Sequence, residues 1–159
     1  MIFLEPEQYQ QKCAQLFNLY YKDISTLLPF AKIEHIGSSS IPNAISKGDL
    51  DIYIEVKPDQ FEFAIEQLKK LNFIEKQNTL RTHELCMLES FNNDDVAFQI
   101  VVTGSKFTFF LTFRNKLIAS PALVDEYNQL KLQCSHLDHD QYRAIKSEFI
   151  SRVLNQPKV

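Results

Sequence analysis

Two groups of residues in the first third of the chain have the types and spacing for phosphate chemistry. Gly37-Ser38 forms a small turn after Ile36, and Asp49 and Asp51 stand at alternate positions in the apolar run that contains Leu50, Ile52 and Ile54. Glycine lets backbone N–H groups come close to phosphate oxygens, and paired carboxylates supply hard oxygen ligands for a Mg2+ or Mn2+ ion beside them. On a strand over 49–56, residues i and i+2 share a face, so both acids project together and Leu50, Ile52 and Ile54 project the other way. Like charges so close raise one another's pKa unless a cation sits between them or water reaches them. Alone, the two acids would also fit a strand cap and a solvated sheet edge; the preceding Gly-Ser turn favours a metal and a phosphate.

These residues resemble a family pattern. The superfamily typified by DNA polymerase beta carries an apolar residue, Gly-Gly or Gly-Ser, a spacer of roughly ten residues, and an Asp-x-Asp or Asp-x-Glu pair on the next strand. More closely, Glu34-His35-Ile36-Gly37-Ser38-Ser39-Ser40-Ile41-Pro42 and Ser46-Lys47-Gly48-Asp49-Leu50-Asp51-Ile52 are similar to the GrpB-like nucleotidyltransferase family. The resemblance resumes at Phe113-Arg114-Asn115, Pro121-Ala122-Leu123, Glu126-Tyr127-Asn128-Gln129-Leu130-Lys131 and Tyr142 to Ile150, and so covers nearly the whole chain. It implies transfer of a nucleotidyl group from a magnesium-bound nucleoside triphosphate to an acceptor hydroxyl. Asp49 and Asp51 would be the catalytic metal ligands, and Gly37, Ser38 and Ser39 the phosphate cradle.

The chain departs from the pattern at two points. Members of the family often read Lys-Pro-x-Ile-Asp-Ile-Asp here, which would put the acids at the positions of Asp51 and Tyr53 and makes Asp51 the safer assignment. The wider superfamily adds a third carboxylate from a later strand, and the candidate strand here, Val96 to Val102, offers Gln99. An amide is neither a base nor an anionic ligand. A binding module that senses a nucleotide or coenzyme without turnover, or a protein-interaction module on the same scaffold, therefore stays open beside transfer.

A triphosphate carries more charge than one metal neutralises, so such sites recruit Lys or Arg from other elements. Lys47 lies just before the acids, and Arg81, Arg114, Lys131, Arg143 and Lys146 are further candidates. Tyr127 with Lys131, and Tyr142 with Lys146, are Tyr-x-x-x-Lys pairs whose members share a helix face. They fit a cleft wall with the ring on a base and the ammonium on phosphate; they fit equally a half-buried helix contact with lysines reaching solvent. His35, two residues before the turn, could bond a phosphate oxygen or act as an acid; the favoured reading is that it fixes the turn by bonding a backbone carbonyl. The candidate nucleotide-binding set is Gly37, Ser38, Ser39, Lys47, Arg114, Tyr127, Lys131 and Lys146.

The elements that must hold these residues follow from hydrophobic period and turn chemistry. Cys13, Leu16, Phe17, Tyr20, Ile24, Leu27 and Leu28 recur at helical spacing after Pro6. A strand over Lys32–Ile36 feeds the turn, a short helix begins near Ile41-Pro42, and the acid-bearing strand covers 49–56. Pro58 opens a helix with Phe61, Ala64, Ile65, Leu68 and Leu71 on one face. Segments 79–88 and 95–102 read as a hairpin around Asn92-Asn93-Asp94. After Thr103-Gly104-Ser105 the pattern is helical, with Ser120-Pro121 as N-cap and first helical residue and another break at 136–140. The fold class is α+β: a single domain, 1–159, with a small mixed sheet, flanking helices and a helical carboxyl-terminal part.

Composition agrees. With 45% apolar and 23% charged residues the chain is globular, and 13 Phe make its core aromatic. Seventeen basic against 20 acidic residues and a pI near 5.8 give no global positive field for long nucleic acids, which suits a small anionic substrate. Cys13, Cys86 and Cys134 show no metal or redox spacing and read as reduced and buried. The amino terminus has no basic segment before an apolar stretch, and no run approaches the roughly twenty apolar residues of a membrane span, so a cytoplasmic location is expected.

Overall fold

The computed structural model describes residues 1–92 and 94–156. Helix α1, Pro6–Leu27, starts where Pro6 presets the first turn and the Gln8 side chain accepts from the Glu5 N–H at 2.7 Å. Its apolar stripe packs on one face of a five-stranded sheet. The strands are β1 Lys32–Ile36, β2 Leu50–Val56, β3 Phe73–Glu75, β4 Leu85–Ser90 and β5 Val96–Val102, in the order β1-β2-β5-β4-β3. Among the described residues only β2 and β5 pair in parallel.

The period of two along β2 and β5 divides the protein. Leu50, Ile52, Ile54, Phe98 and Ile100 face α1 and α2 (Phe61–Lys69) in the main core, where Phe73 and Phe98 stack at 3.9 Å. Asp51, Tyr53, Ala97, Gln99 and Val101 face the other way. There Tyr53 and Val101 pack with Ile36, Leu85 and Phe107 in a smaller cluster. Three helices complete the chain: α3 Phe109–Ile118, α4 Pro121–Gln133 and α5 His139–Leu154. They enclose a third cluster around Leu117, Val124, Tyr127, Phe149 and Val153, into which Ile41 and Ala44 also fit. Ser120 caps α4 by accepting from the Leu123 N–H at 3.2 Å, as its position before Pro121 predicts. No helix among the described residues is long and apolar enough to cross a membrane.

Three expectations about elements shift. The strand expected over 79–88 runs Leu85–Ser90, because the Thr82 hydroxyl accepts from the Glu84 and Leu85 N–H groups and holds a turn before it. The short helix expected at Ile41-Pro42 is a 3-10 turn at Ser38–Ser40, closed by the Ser40 N–H and hydroxyl on the Gly37 carbonyl. The acid-bearing strand starts one residue late, at Leu50, so Asp49 lies on the incoming loop. Strand β3 was not expected, being only three residues long. The expected Asn92-Asn93-Asp94 turn includes Asn93, which lies outside the described residues. All three cysteines are buried and free.

Candidate functional site

The site begins where β1 ends. Gly37 has φ +75°, a region that favours glycine, and the chain then winds through Ser38–Ser40. His35 stacks on Phe17 at 5.0 Å, and its Nε2 lies 2.7 Å from the Ser39 hydroxyl. Burial, with the charge of Arg114, pushes the imidazole down to about 4. His35 thus fixes the turn as expected, through a serine hydroxyl in place of a carbonyl. Ser39 is spent in that contact, is buried, and does not line the cleft, unlike the other cradle residues.

Register then sets the acids against the turn. Ile36 pairs with Asp51 across β1 and β2, so the next residue, Gly37, arches over the carboxylate. A Cβ on Gly37 would stand 2.5 Å from Asp51 Oδ2. The glycine is required twice, for its φ and for the space that Asp51 fills. Asp49 is oriented by Ser46, whose hydroxyl donates to Asp49 Oδ1 at 3.2 Å and accepts from the Gly48 N–H at 3.0 Å. Ser46 is itself held by backbone bonds to Leu4. Burial and the neighbouring Asp49 push the Asp51 carboxyl up to about 6, against the pull of Lys146 and of the Gln99 amide, which donates to Asp51 Oδ1 at 3.4 Å.

Among the described residues no group of three or more His, Cys, Asp or Glu side chains is arranged to hold a metal ion. A cation here would have two protein carboxylates. Magnesium is commonly held by one or two carboxylates, with waters and substrate phosphates completing its shell. Two acids forced together at an open cleft fit that requirement, and Gln99 fills the place of a third.

Turn and acids form one wall of a cleft of about 290 Å3; α3, α4 and α5 form the other. Of the ten candidates, nine line it, Gly37, Ser38, Lys47, Asp49, Asp51, Arg114, Tyr127, Lys131 and Lys146, and Ser39 does not. Their environments differ. Arg114 Nη1 donates to the His35 carbonyl at 2.9 Å and lies 3.4 Å from Glu34, which clips α3 to β1. Lys131 is 2% exposed; its amine bonds Ser38 Oγ at 2.7 Å and the Ile45 carbonyl, and sits 4.1 Å from the Tyr127 ring centre. Burial and the charge of Lys146 press that amine down to about 7. Tyr127 is buried and stacked on Phe149 at 5.0 Å, so its ring is not open to a base. Lys146 has no hydrogen-bond partner among the described residues. The phenols of Tyr127 and Tyr142 and the carboxylates of Asp51 and Asp49 hold it above its ordinary range.

The structure adds residues that the sequence reading missed. Lys76, just past β3, joins Lys47, Arg143 and His139 at the rim, and their combined charge lowers the pKa of His139. Nothing local marks Lys76, since it is brought in by a three-residue strand. Asn128 accepts from the Ile45 N–H at 3.0 Å and donates to the Asn43 carbonyl at 2.8 Å, fastening the loop between turn and acids to α4. Its place in the Glu126-to-Lys131 block was the available signal.

With this geometry in view, comparison with known proteins is specific. A family model described as "GrpB protein" matches residues 4–156. A UPF0157 protein of Vibrio cholerae serotype O1 is 53% identical over 156 residues, covering 98% of this chain and 83% of that one. The crystal structure of a conserved protein GrpB from Enterococcus faecalis superposes with a TM-score of 0.74 at 21% identity, covering 97% of this chain and 100% of that one. Terminal uridylyl transferase 4 from Trypanosoma brucei, solved with bound dUTP, matches at 0.53 and 11% identity, over 79% of this chain and 46% of that one. The last two likenesses establish a shared fold.

Proposed function

The chain belongs to the GrpB family, and from that premise we propose that its cleft binds a nucleoside triphosphate with Mg2+ or Mn2+ and transfers the nucleotidyl group to an acceptor hydroxyl. One observation carries the reading: the Gly37-Ser38 turn and the Asp49, Asp51 pair, eleven to fourteen residues apart, meet in one cleft with a basic rim. The cation, when bound, would neutralise phosphate charge and polarise the reacting phosphorus centre. Asp49 and Asp51 would hold it, Asp49 kept in place by Ser46 and Asp51 by Gln99. Ser38, pinned from behind by Lys131, would present its backbone N–H to the terminal phosphates. Lys146, with Lys47 at the rim, would supply mobile positive charge. Gln99 favours a second reading, binding with slow or no turnover, because no third carboxylate stands ready to accept the hydroxyl proton.

Calorimetric titration of ATP, GTP, CTP and UTP, with and without magnesium, tests the proposal on the wild type and on Asp51→Asn. Binding that needs both the metal and Asp51 is the expected result; binding by no triphosphate, or binding indifferent to both, overturns it. Release of pyrophosphate separates transfer from binding alone. Gly37→Val provides an independent check, since its Cβ collides with Asp51, and it is expected to lose affinity with the acids intact.

A further inference from the structure

Two carboxylates can hold one divalent ion or share a pair, and what stands beside them decides which. Paired-metal sites set their ions roughly 4 Å apart and need acidic ligands on both sides. Three of the four carboxylate oxygens here already have neighbours: Ser46 donates to Asp49 Oδ1, Gln99 Nε2 donates to Asp51 Oδ1, and Asp51 Oδ2 lies beneath Gly37, where an added Cβ would come within 2.5 Å. Among the described residues no further His, Cys, Asp or Glu completes a group of three able to hold a metal ion.

Gln99 stands at the decisive place. It is nine-tenths buried on β5 and lines the cleft beside Asp51. A carboxylate there would draw a second ion to the Asp51 side; the amide turns hydrogens toward Asp51 Oδ1 instead. Its Oε1 is buried without a hydrogen-bond partner among the described residues, so the Asp51 contact alone fixes which way the amide lies. Turned over, the amide would set one acceptor against another. An ion approaching Asp51 Oδ1 from that side therefore meets N–H groups.

The charge of the cleft points the same way. Arg114 and Lys131 are tied to protein acceptors. Lys47, Lys76, Arg143 and Lys146 also line the cleft and make no salt bridge among the described residues. Those four side chains and one dication offset the two acids and the roughly four negative charges of a triphosphate. A second dication would leave excess positive charge in a partly enclosed space, where like charges repel strongly. Lys146 faces the acids across the cleft with no hydrogen bond of its own among the described residues.

We propose, on the nucleotide-binding reading above, that the cleft takes a single divalent cation with its nucleotide, Gln99 keeping a second ion from the Asp51 side and the Lys146 ammonium supplying the positive charge that a second ion would bring. Manganese allows the ions to be counted. α,β-Methylene-ATP, which cannot release pyrophosphate, is titrated with Mn2+ in the presence of the protein, and bound ions per bound nucleotide are read by electron paramagnetic resonance. The wild type is expected to level off at a single uncoupled ion. Gln99→Glu, which keeps the shape and adds a carboxylate, is expected to level off at two spin-coupled ions. Lys146→Met should keep a single ion and weaken nucleotide affinity about tenfold.

Two ions in the wild type overturn the proposal and leave nucleotide binding standing; that count is decisive even should a variant fold poorly. A single ion in Gln99→Glu removes Gln99 as the barrier, and unchanged affinity in Lys146→Met removes Lys146 as the substitute; either result overturns the proposal as stated. Should the analogue bind at no Mn2+ concentration, the nucleotide-binding reading falls and the single-ion proposal with it.

Discussion

Helices α4 and α5 carry the same Tyr-x-x-x-Lys pair toward the same cleft and use it in opposite ways. On α4, Tyr127 stacks on Phe149 and lies under the Lys131 amine, which is itself tied to Ser38 and to the Ile45 carbonyl. That pair is a buried strut from the helix to the phosphate-cradle turn. On α5, Tyr142 meets Phe3 at 6.1 Å, and Lys146 faces the acids across open cleft. Spacing along a helix decides which residues share a face; what lies opposite decides whether the pair becomes scaffold or stays available. The α4 pair meets the loop 41–46, whose carbonyls need donors, whereas the α5 pair meets carboxylates with room for a ligand between.

The sharpest way to break the contrast is Lys131→Met, read against pH. The folded state presses the Lys131 amine down to about 7 from an ordinary value near 10.5. Between those values the unfolded chain holds the proton more tightly, so wild-type stability rises with pH across that window, by at most about 1.4 kcal/mol per pH unit. Methionine cannot titrate, and it leaves the Ile45 carbonyl without its donor. Near pH 9 the variant is expected to be less stable by about 1–3 kcal/mol, the cost of an unmade buried hydrogen bond. The gap should narrow toward pH 7 and below, where the wild type bears the cost of a buried amine. Urea denaturation at several pH values checks this; a gap independent of pH would mean that Lys131 is no buried titrating group.

For Lys146→Met the expected loss is in ligand binding. The amine lacks a hydrogen-bond partner among the described residues and is held only by its attraction to the Tyr127 and Tyr142 phenols and the cleft acids, so the unfolding free energy should fall by no more than about 1 kcal/mol. Its attraction to the cleft acids should show as about tenfold weaker magnesium-ATP affinity. A large stability loss with unchanged affinity would reverse the roles of the two lysines.

How far the sequence reveals this depends on range. The Gly-Ser turn, the alternate acids and the α1 stripe are local, and they fold where their spacing places them. Ser39 lies outside the cleft because the short helix expected near Ile41 begins three residues earlier, at Ser38, and the Ser39 hydroxyl meets His35 four positions back. Lys131 and Arg114 were legible as cleft residues but not as occupied ones. Their partners, Ser38, Ile45 and His35, lie 79 to 93 positions away, and no periodicity encodes such pairings. Lys76 arrives by the same kind of long-range pairing, through β3.

The smallest expected effect is also the finest test of the second pair. Tyr142 is buried against Phe3, and its hydroxyl has no hydrogen-bond partner among the described residues. Tyr142→Phe keeps the ring and removes only that hydroxyl, so stability should change by no more than about 0.5 kcal/mol. The hydroxyl also helps to hold Lys146 charged, yet at neutral pH the amine stays protonated without it. Magnesium-ATP affinity should therefore be unchanged in the phenylalanine variant if only the ring meets the ligand. Tyr142→Leu, which keeps bulk and loses the aromatic face, is then expected to bind about threefold to tenfold more weakly. Should both variants bind as the wild type does, Tyr142 is packing like Tyr127, and the contrast between the helices would narrow to their lysines.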